Sequence, residues 1–292
     1  MNAHADWLDI TSSPDDHVRG ELRMFLGNLG FNCHDYTSDS ETWMPSDGVY
    51  GVLRSELKPS HARISASGQI LQHLRDLGQF DNYLALLSTT PYRVTRLDAA
   101  YDVPTDASVR IADILRRFPR EISLGRQRPL RVHSLLSTRL DGLKSGTVYF
   151  GHRSRARVTA RVYDKALEQF EKRNLVIPPS TRYEITFRDG ISSLRDAYDP
   201  TAIFWAHVGT LLPVPSSAPV WTPNDSLGWS YARPSVLPVD VLKRRVASSG
   251  DLSVLALLAD ELGDEGRNLL VHLILQNLGV VHKGQYYKSD AA

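Results

Sequence analysis

"RVTARVYDKALEQF", residues 157–170, sets a short strand directly against a helix. Strand side chains alternate, so Val158, Ala160 and Val162 point one way, toward a core, while Arg157, Thr159, Arg161 and Tyr163 share the other face. That second face is polar and ends in a tyrosine. A helix is predicted from about Asp164 to Arg173, so free backbone N–H groups, the positive end of the helix dipole and Lys165 are expected around the Tyr163 hydroxyl. Such a place suits a phosphate. A phenol with a pKa near 10 is a poor nucleophile at neutral pH unless positive charge lowers that value or a base takes the proton. The plainer reading is a half-buried anchor, since the chain has 12 tyrosines.

The same alternation applied to two further strands gives matching faces. In "RVTRLDAAYDV", residues 93–103, Arg96, Asp98 and Asp102 lie on one side, with Ala100 leaving room between the carboxylates. In "TRYEITFR", residues 181–188, Arg182, Glu184, Thr186 and Arg188 lie on one side, with Tyr183, Ile185 and Phe187 opposite. If the three strands share a sheet and the polar faces coincide, carboxylates, arginines and a tyrosine meet on its uncovered side. Two interpretations follow. One is a set of cross-strand salt bridges, each worth on the order of 0 to 1 kcal/mol. The other is a hard-cation site in which Asp98 and Glu184 give oxygen ligands to Mg²⁺ or Mn²⁺ while the arginines hold phosphates. The pattern alone favours the salt bridges. No two of the ten histidines are separated by a single residue, so a metal here would be held mostly by carboxylates. His133 and His152 are more ordinary as packed or surface residues than as ligands.

Around this block, "GVYGVLRSEL" (48–57) and "HARISASG" (61–68) read as strands after a loop-like N-terminus, and "GQILQHLRDLGQFDNYLALLS" (68–88) reads as one helix. "DASVRIADILRRF" (106–118) is a helix opened by Asp106 as N-cap. "PLRVHSLLS" (129–137) and "GTVYFG" (146–151) are strands, and a helix is expected near 192–212. Adjacent strands mixed with helical crossovers predict an α+β fold: a largely antiparallel sheet with helices on one face, an open polar face and a small helical C-terminal region. The predicted divisions are a domain over 1–212, a Pro- and Ser-rich linker or arm over 213–238, and a helical region over 239–292.

Composition narrows the setting. The chain of 292 residues has one cysteine, Cys33, which excludes an intramolecular disulfide and a cysteine-built zinc site and suits a reducing cytoplasm. Neither a signal peptide nor an apolar run of about 20 residues is present, so a soluble protein with no membrane partner is expected. Net charge is +1, but residues 91–190 hold 20 Lys and Arg against 11 Asp and Glu, while the remainder holds 14 against 22. A basic middle suggests a polyanionic partner.

The succession "RVTRLDAAYDV", "GTVYFGHRSRARVTARVYDKALEQ" and "TRYEITFR" resembles the replication initiation factor family, the trans-acting rolling-circle initiators of plasmids, related conjugative relaxases and replication proteins of filamentous phages. The shared pattern is an R-L-D strand, a T-x-Y-x-G strand, a Y-[DN]-K-x-x-E-Q junction and an R-x-E strand, spanning Arg93 to Arg188 and fading before about residue 45 and after about 212. The resemblance implies a site-specific, metal-dependent endonuclease and strand transferase. It would nick one strand of a supercoiled or hairpin origin through a tyrosine, keep the 5′ phosphate as a phosphotyrosine and free a 3′ hydroxyl primer. Carried over, Tyr163 matches the nucleophile, Lys165 would steady the phosphate, and Asp98 and Glu184 match acidic metal positions for Mg²⁺ or Mn²⁺. Arg96, Arg157, Arg161 and Arg182 would bind DNA, with Asp102 and Glu168 in support. The resemblance also implies the cytoplasm of a bacterial host and host replication proteins such as a helicase. One tyrosine fits the nucleophile pattern, so strand closure needs a second subunit, as in a homodimer, or another tyrosine. A conjugative relaxase of the same chemistry and a non-catalytic origin-binding protein are the alternatives.

Overall fold

The computed structural model describes residues 2–223, apart from 15, 38, 48–50, 126–127, 139–143 and 153–155. All of these lie in one compact unit, Met1–Tyr231. The chain begins with β1 (His4–Ser12), α1 (Asp16–Asn28), β2 (Phe31–Tyr36), β3 (Ser40–Pro45), β4 (Leu53–Lys58), β5 (His61–Ser67), α2 (Gly68–Asp76), α3 (Phe80–Leu87) and β6 (Tyr92–Val103). It continues with α4 (Ala107–Arg117), β7 (Glu121–Ile122), β8 (Leu130–Thr138), β9 (Lys144–Phe150), β10 (Val158–Asp164), α5 (Lys165–Arg173), β11 (Thr181–Arg188), α6 (Leu194–Tyr198) and α7 (Thr201–Val208).

The strands form a single 11-stranded sheet in the order β2-β3-β4-β5-β1-β6-β11-β10-β9-β8-β7, with every neighbouring pair antiparallel. The fold is thus α+β, as the element pattern predicts. The alternation also predicts the core side of two strands: Val158, Ala160, Val162, Tyr183, Ile185 and Phe187 are all buried, and they form one apolar cluster with Leu8 and Ile10 of β1, Leu97 and Ala99 of β6 and residues of α2, α4, α6 and α7. Helix α7 buries Ile203, Phe204, Trp205 and Val208, as an all-round apolar helix must. Strand β11 lies at the centre of the sheet and is buried from Thr181 through Phe187, on its polar as well as its apolar side.

Three local expectations are corrected. The N-terminal stretch is not a loop: β1 runs through the middle of the sheet between β5 and β6, and α1 follows it. Its apolar parity breaks at a bulge between Ala5 and Trp7, so Ala5 and Leu8 both face the core and the period of two is lost to inspection. The helix expected over 68–88 is two. Gly78, at φ 66°, ends α2, with Gln79 N–H bonded to the Leu74 carbonyl and Gly78 N–H to that of Arg75, the pair of bonds that closes a helix on a left-handed residue. The helix expected near 192–212 is also two, because Asp199 is extended (φ −132°, ψ 96°) before Pro200.

Of the arm expected over 213–238, residues 213–223 are described, and Trp221 docks there: its Nε1 donates to Asp196 at 3.0 Å and its ring meets His207 edge-on. The helical region expected over 239–292 lies outside the described residues.

Candidate functional site on the open face of the sheet

Strand register brings the predicted residues together in rows across the central strands. Tyr163 on β10 pairs with Arg182 on β11, which pairs with Asp102 on β6. The next row holds Arg161, Glu184, Ala100 and, on β1, His4. The row after holds Thr159, Thr186, Asp98 and Trp7. Asp98 and Glu184 therefore occupy diagonal positions on adjacent strands, roughly 7 Å apart at the backbone. Arg157 sits just before β10, exposed, and donates to the Asp189 carbonyl at 2.9 Å.

The carboxylates and arginines of this face are engaged with one another. Arg182 donates from Nε and Nη2 to the two oxygens of Asp102, both at 2.6 Å, and from Nη1 to Asp6 at 2.8 Å. Arg161 Nη2 donates to Glu184 Oε2 at 2.7 Å. Arg96 grips Asp98 through Nε, at 2.9 Å, and through Nη2, while its guanidinium lies 4.9 Å from the centre of the Trp7 ring. Arg63 donates to Asp9 at 2.6 Å. In this state Arg96, Arg161 and Arg182 are ordered by carboxylates, Arg161 and Arg182 through the cross-strand pairing that the pattern favoured, while Arg157 bonds only a backbone carbonyl.

Tyr163 lies within this network and not in the apolar core. Its side chain is buried, and its hydroxyl donates to Glu184 Oε2 at 3.3 Å. Burial and the Glu184 carboxylate together push the phenol well above the ordinary tyrosine value, against the opposing pull of Arg182 and Arg161. The cations meet the ring and not the oxygen: Arg161 lies 4.8 Å and Lys165 5.7 Å from its centre. Lys165 is paired with Glu168 at 2.6 Å, and the α5 N-terminus is capped by Asp164, whose carboxylate accepts from Leu167 N–H at 2.9 Å. The predicted cradle of N–H groups and Lys165 around the hydroxyl is therefore corrected. The strand-to-helix turn carries the N–H groups past Tyr163 to the cap of its own helix.

Glu184 is the most perturbed acid of the face. Burial, then the charge of Asp98, raise its carboxyl to about 7 despite the Arg161 hydrogen bond. Arg161 answers in kind: burial lowers it, but Glu184 outweighs burial and holds the guanidinium above its ordinary value. Crowded, buried carboxylates of this sort are relieved by a cation. The donors are hard oxygens, as Mg²⁺ or Mn²⁺ require, and Asp98 and Glu184 fit such an ion. Among the described residues no group of three or more His, Cys, Asp or Glu is arranged to hold a metal. Two carboxylates are what a cation that retains waters and takes substrate phosphate needs.

Sequence reasoning missed β1. Its His4, Asp6, Trp7 and Asp9 join this face, and Asp6 reaches Arg182 because the bulge turns it there. The bulge is held by Gly68: a Cβ at that position would lie 2.7 Å from Asp6 Oδ1 and 2.8 Å from the Asp6 Cα and carbonyl oxygen. A readable signal existed in the paired apolar phases of Ala3 and Ala5, then Leu8 and Ile10, either side of the slip.

Fold and site together define a class: an antiparallel α+β domain whose open face sets a tyrosine among paired carboxylates and arginines. Residues 92–195, from β6 to the start of α6, match the model of the replication initiation factor family, and the resemblance read from the motifs is borne out over that stretch. Every site residue predicted from the sequence lies within it; the β1 residues lie outside. Among solved structures the chain is similar to a rolling circle replication initiator protein from Geobacillus stearothermophilus, at 16% identity and a TM-score of 0.45, covering 70% of this chain and 77% of that one. A comparison with curated proteins gives no match. Among the described residues no helix is long and apolar enough to cross a membrane.

Proposed function

We propose that this chain is a rolling-circle DNA replication initiator that nicks one strand at an origin through Tyr163 and rejoins strands by transesterification. The observation that carries the reading is the Tyr163 hydroxyl at 3.3 Å from Glu184, on the arginine-bearing face built by the family-matched segment. The Glu184 carboxylate directs the phenol O–H and gives its proton a place to go as the oxygen attacks phosphorus. Arg161 and Lys165, stacked on the ring, fix its angle. Arg157, exposed at the strand end, and Arg96, Arg161 and Arg182, exchanging carboxylate for phosphate, track the DNA backbone. Until that exchange Asp102 holds Arg182 in place, and Glu168 holds Lys165. Asp98 and Glu184 would hold Mg²⁺ or Mn²⁺, which when bound supplies Lewis-acid stabilisation of the phosphate and leaving oxygen. The bond energy is retained in the phosphotyrosine, so religation needs no nucleotide.

The test is incubation of supercoiled origin DNA with Mg²⁺ and either the wild type or Tyr163→Phe. Relaxed circles and a covalent adduct are expected with the wild type alone; full nicking by the phenylalanine variant overturns the assignment. One observation favours a second reading, a DNA-binding face without catalysis: the arginines of the central strands already have carboxylate partners. DNA binding that persists in EDTA, with no nick under any metal, would establish it instead.

A further inference from the structure

Once Tyr163 has cut, its oxygen is esterified to the 5′ phosphate and cannot cut again. Closing the product strand therefore demands a second nucleophile, either from another chain or from elsewhere on this one. We infer that Tyr149 is that nucleophile, acting in the same chain as Tyr163; the inference rests on the function proposed above.

Register places the two phenols as neighbours. Tyr149 on β9 pairs with Arg161 on β10, and Thr147, two residues earlier, pairs with Tyr163. Tyr149 and Tyr163 thus occupy diagonal positions of adjacent strands on one face, with backbones roughly 7 Å apart. Other described tyrosines lie elsewhere. Tyr83 and Tyr183 are fully buried in the core, and Tyr92 and Tyr101 pack against it. Tyr36 is on β2, the far edge of the sheet, and Tyr198 is on α6. Tyr149 is half-buried, takes no part in the apolar cluster, and its side chain makes no hydrogen bond to a described residue. Its other in-register neighbour is His133 on β8, an exposed strand. Arg161 stands between the two tyrosines: it is the cross-strand partner of Tyr149, and its guanidinium covers the Tyr163 ring. One guanidinium can therefore serve a phosphate on either phenol.

The step balances. Tyr149 Oη bonds to the phosphorus of the regenerated origin sequence, the P–O3′ bond breaks, and the phenolic proton leaves to solvent at the exposed edge beside His133. The freed 3′ oxygen attacks the phosphorus held on Tyr163. The O3′–P bond forms, the P–Oη bond to Tyr163 breaks, and Tyr163 regains a proton. Two exchanges have occurred and nothing has been hydrolysed.

The test uses the full chain, Mg²⁺ and a random-sequence single-stranded DNA library, from which covalently captured oligonucleotides are recovered and resynthesised. Chains loaded once are then challenged with a second, uncut copy. Peptides 145–153 and 162–165, released by trypsin, separate the two tyrosines. Expected are intact chains carrying two adducts, one on each peptide, and a fall of at least tenfold in the ratio of doubly to singly loaded chains for Tyr149→Phe. A second adduct found only on Tyr163 of an isotopically distinct chain, or no second adduct at all, overturns the inference and leaves the first nick standing. Absence of any adduct on Tyr163 overturns both readings.

Discussion

Replacing Arg182 by methionine tests whether the open face is held by its ion pairs. The side chain is 9% exposed and makes three charge-assisted hydrogen bonds to two acids, Asp102 at 37% and Asp6 at 24% exposure. Removing one member of a buried ion pair costs about 3–5 kcal/mol when the partner charge is stranded. Here both acids reach water in part, so the loss should be about 2–3 kcal/mol. Burial would raise the Asp102 carboxyl, but Arg182 outweighs burial and holds it below its ordinary range. A carboxyl depressed by folding contributes stability that is present above its unfolded value, near 3.8, and is lost as pH falls through the folded one. The gap between wild type and Arg182→Met should therefore be full at pH 7 and narrow on acidification below about 4. Urea denaturation followed by circular dichroism, repeated in an Asp102→Asn background, gives the coupling energy, expected at about 1–2 kcal/mol. A loss below about 0.5 kcal/mol, or a loss identical in both backgrounds, would refute the view that these pairs order the face.

Three other perturbations follow from the same geometry. Gly68→Ala drives a Cβ into the Asp6 backbone and should cost about 1–3 kcal/mol in thermal unfolding, more than a Gly20→Ala control in α1, whose Cβ would meet nothing within 4 Å. Glu168→Gln should remove an acid-sensitive contribution: burial would raise Glu168, but the bonds from Lys165 and Lys172 hold it down to about 2. That contribution, about 1 kcal/mol because Lys172 is 67% exposed, is present above pH 4.5 and fades toward pH 2; a gap to wild type that does not change across that range contradicts it. Mg²⁺ at ten times its dissociation constant should stabilise the wild type by about 1.4 kcal/mol in a thermal-shift titration, and Asp98→Asn should need at least ten times more; equal curves would remove Asp98 from the metal site.

Much of the candidate site was legible because a strand's period of two is local. Arg96, Asp98 and Asp102, then Arg182 and Glu184, then Arg161 and Tyr163 each declare a common face from spacing alone. The α5 cap and the Asp106 cap are equally local, since a side-chain carboxylate bonds a backbone N–H two or three residues on. The breaks at Gly78 and Pro200 were written in residues whose backbone limits are intrinsic, although hydrophobic spacing ran through both.

What the sequence by itself determined was the composition of each face: which side chains stand together on one strand, and that three strands offer acids, arginines and a tyrosine. Only the tertiary structure decided who meets whom. The order β1-β6-β11-β10-β9 joins segments distant in sequence, and Asp6 reaches Arg182 across 176 residues. Cross-strand partners depend on register and on a one-residue bulge, and burial sets the charge each group will bear. Spacing carries no record of either quantity, because both arise from the surroundings that the rest of the folded chain supplies.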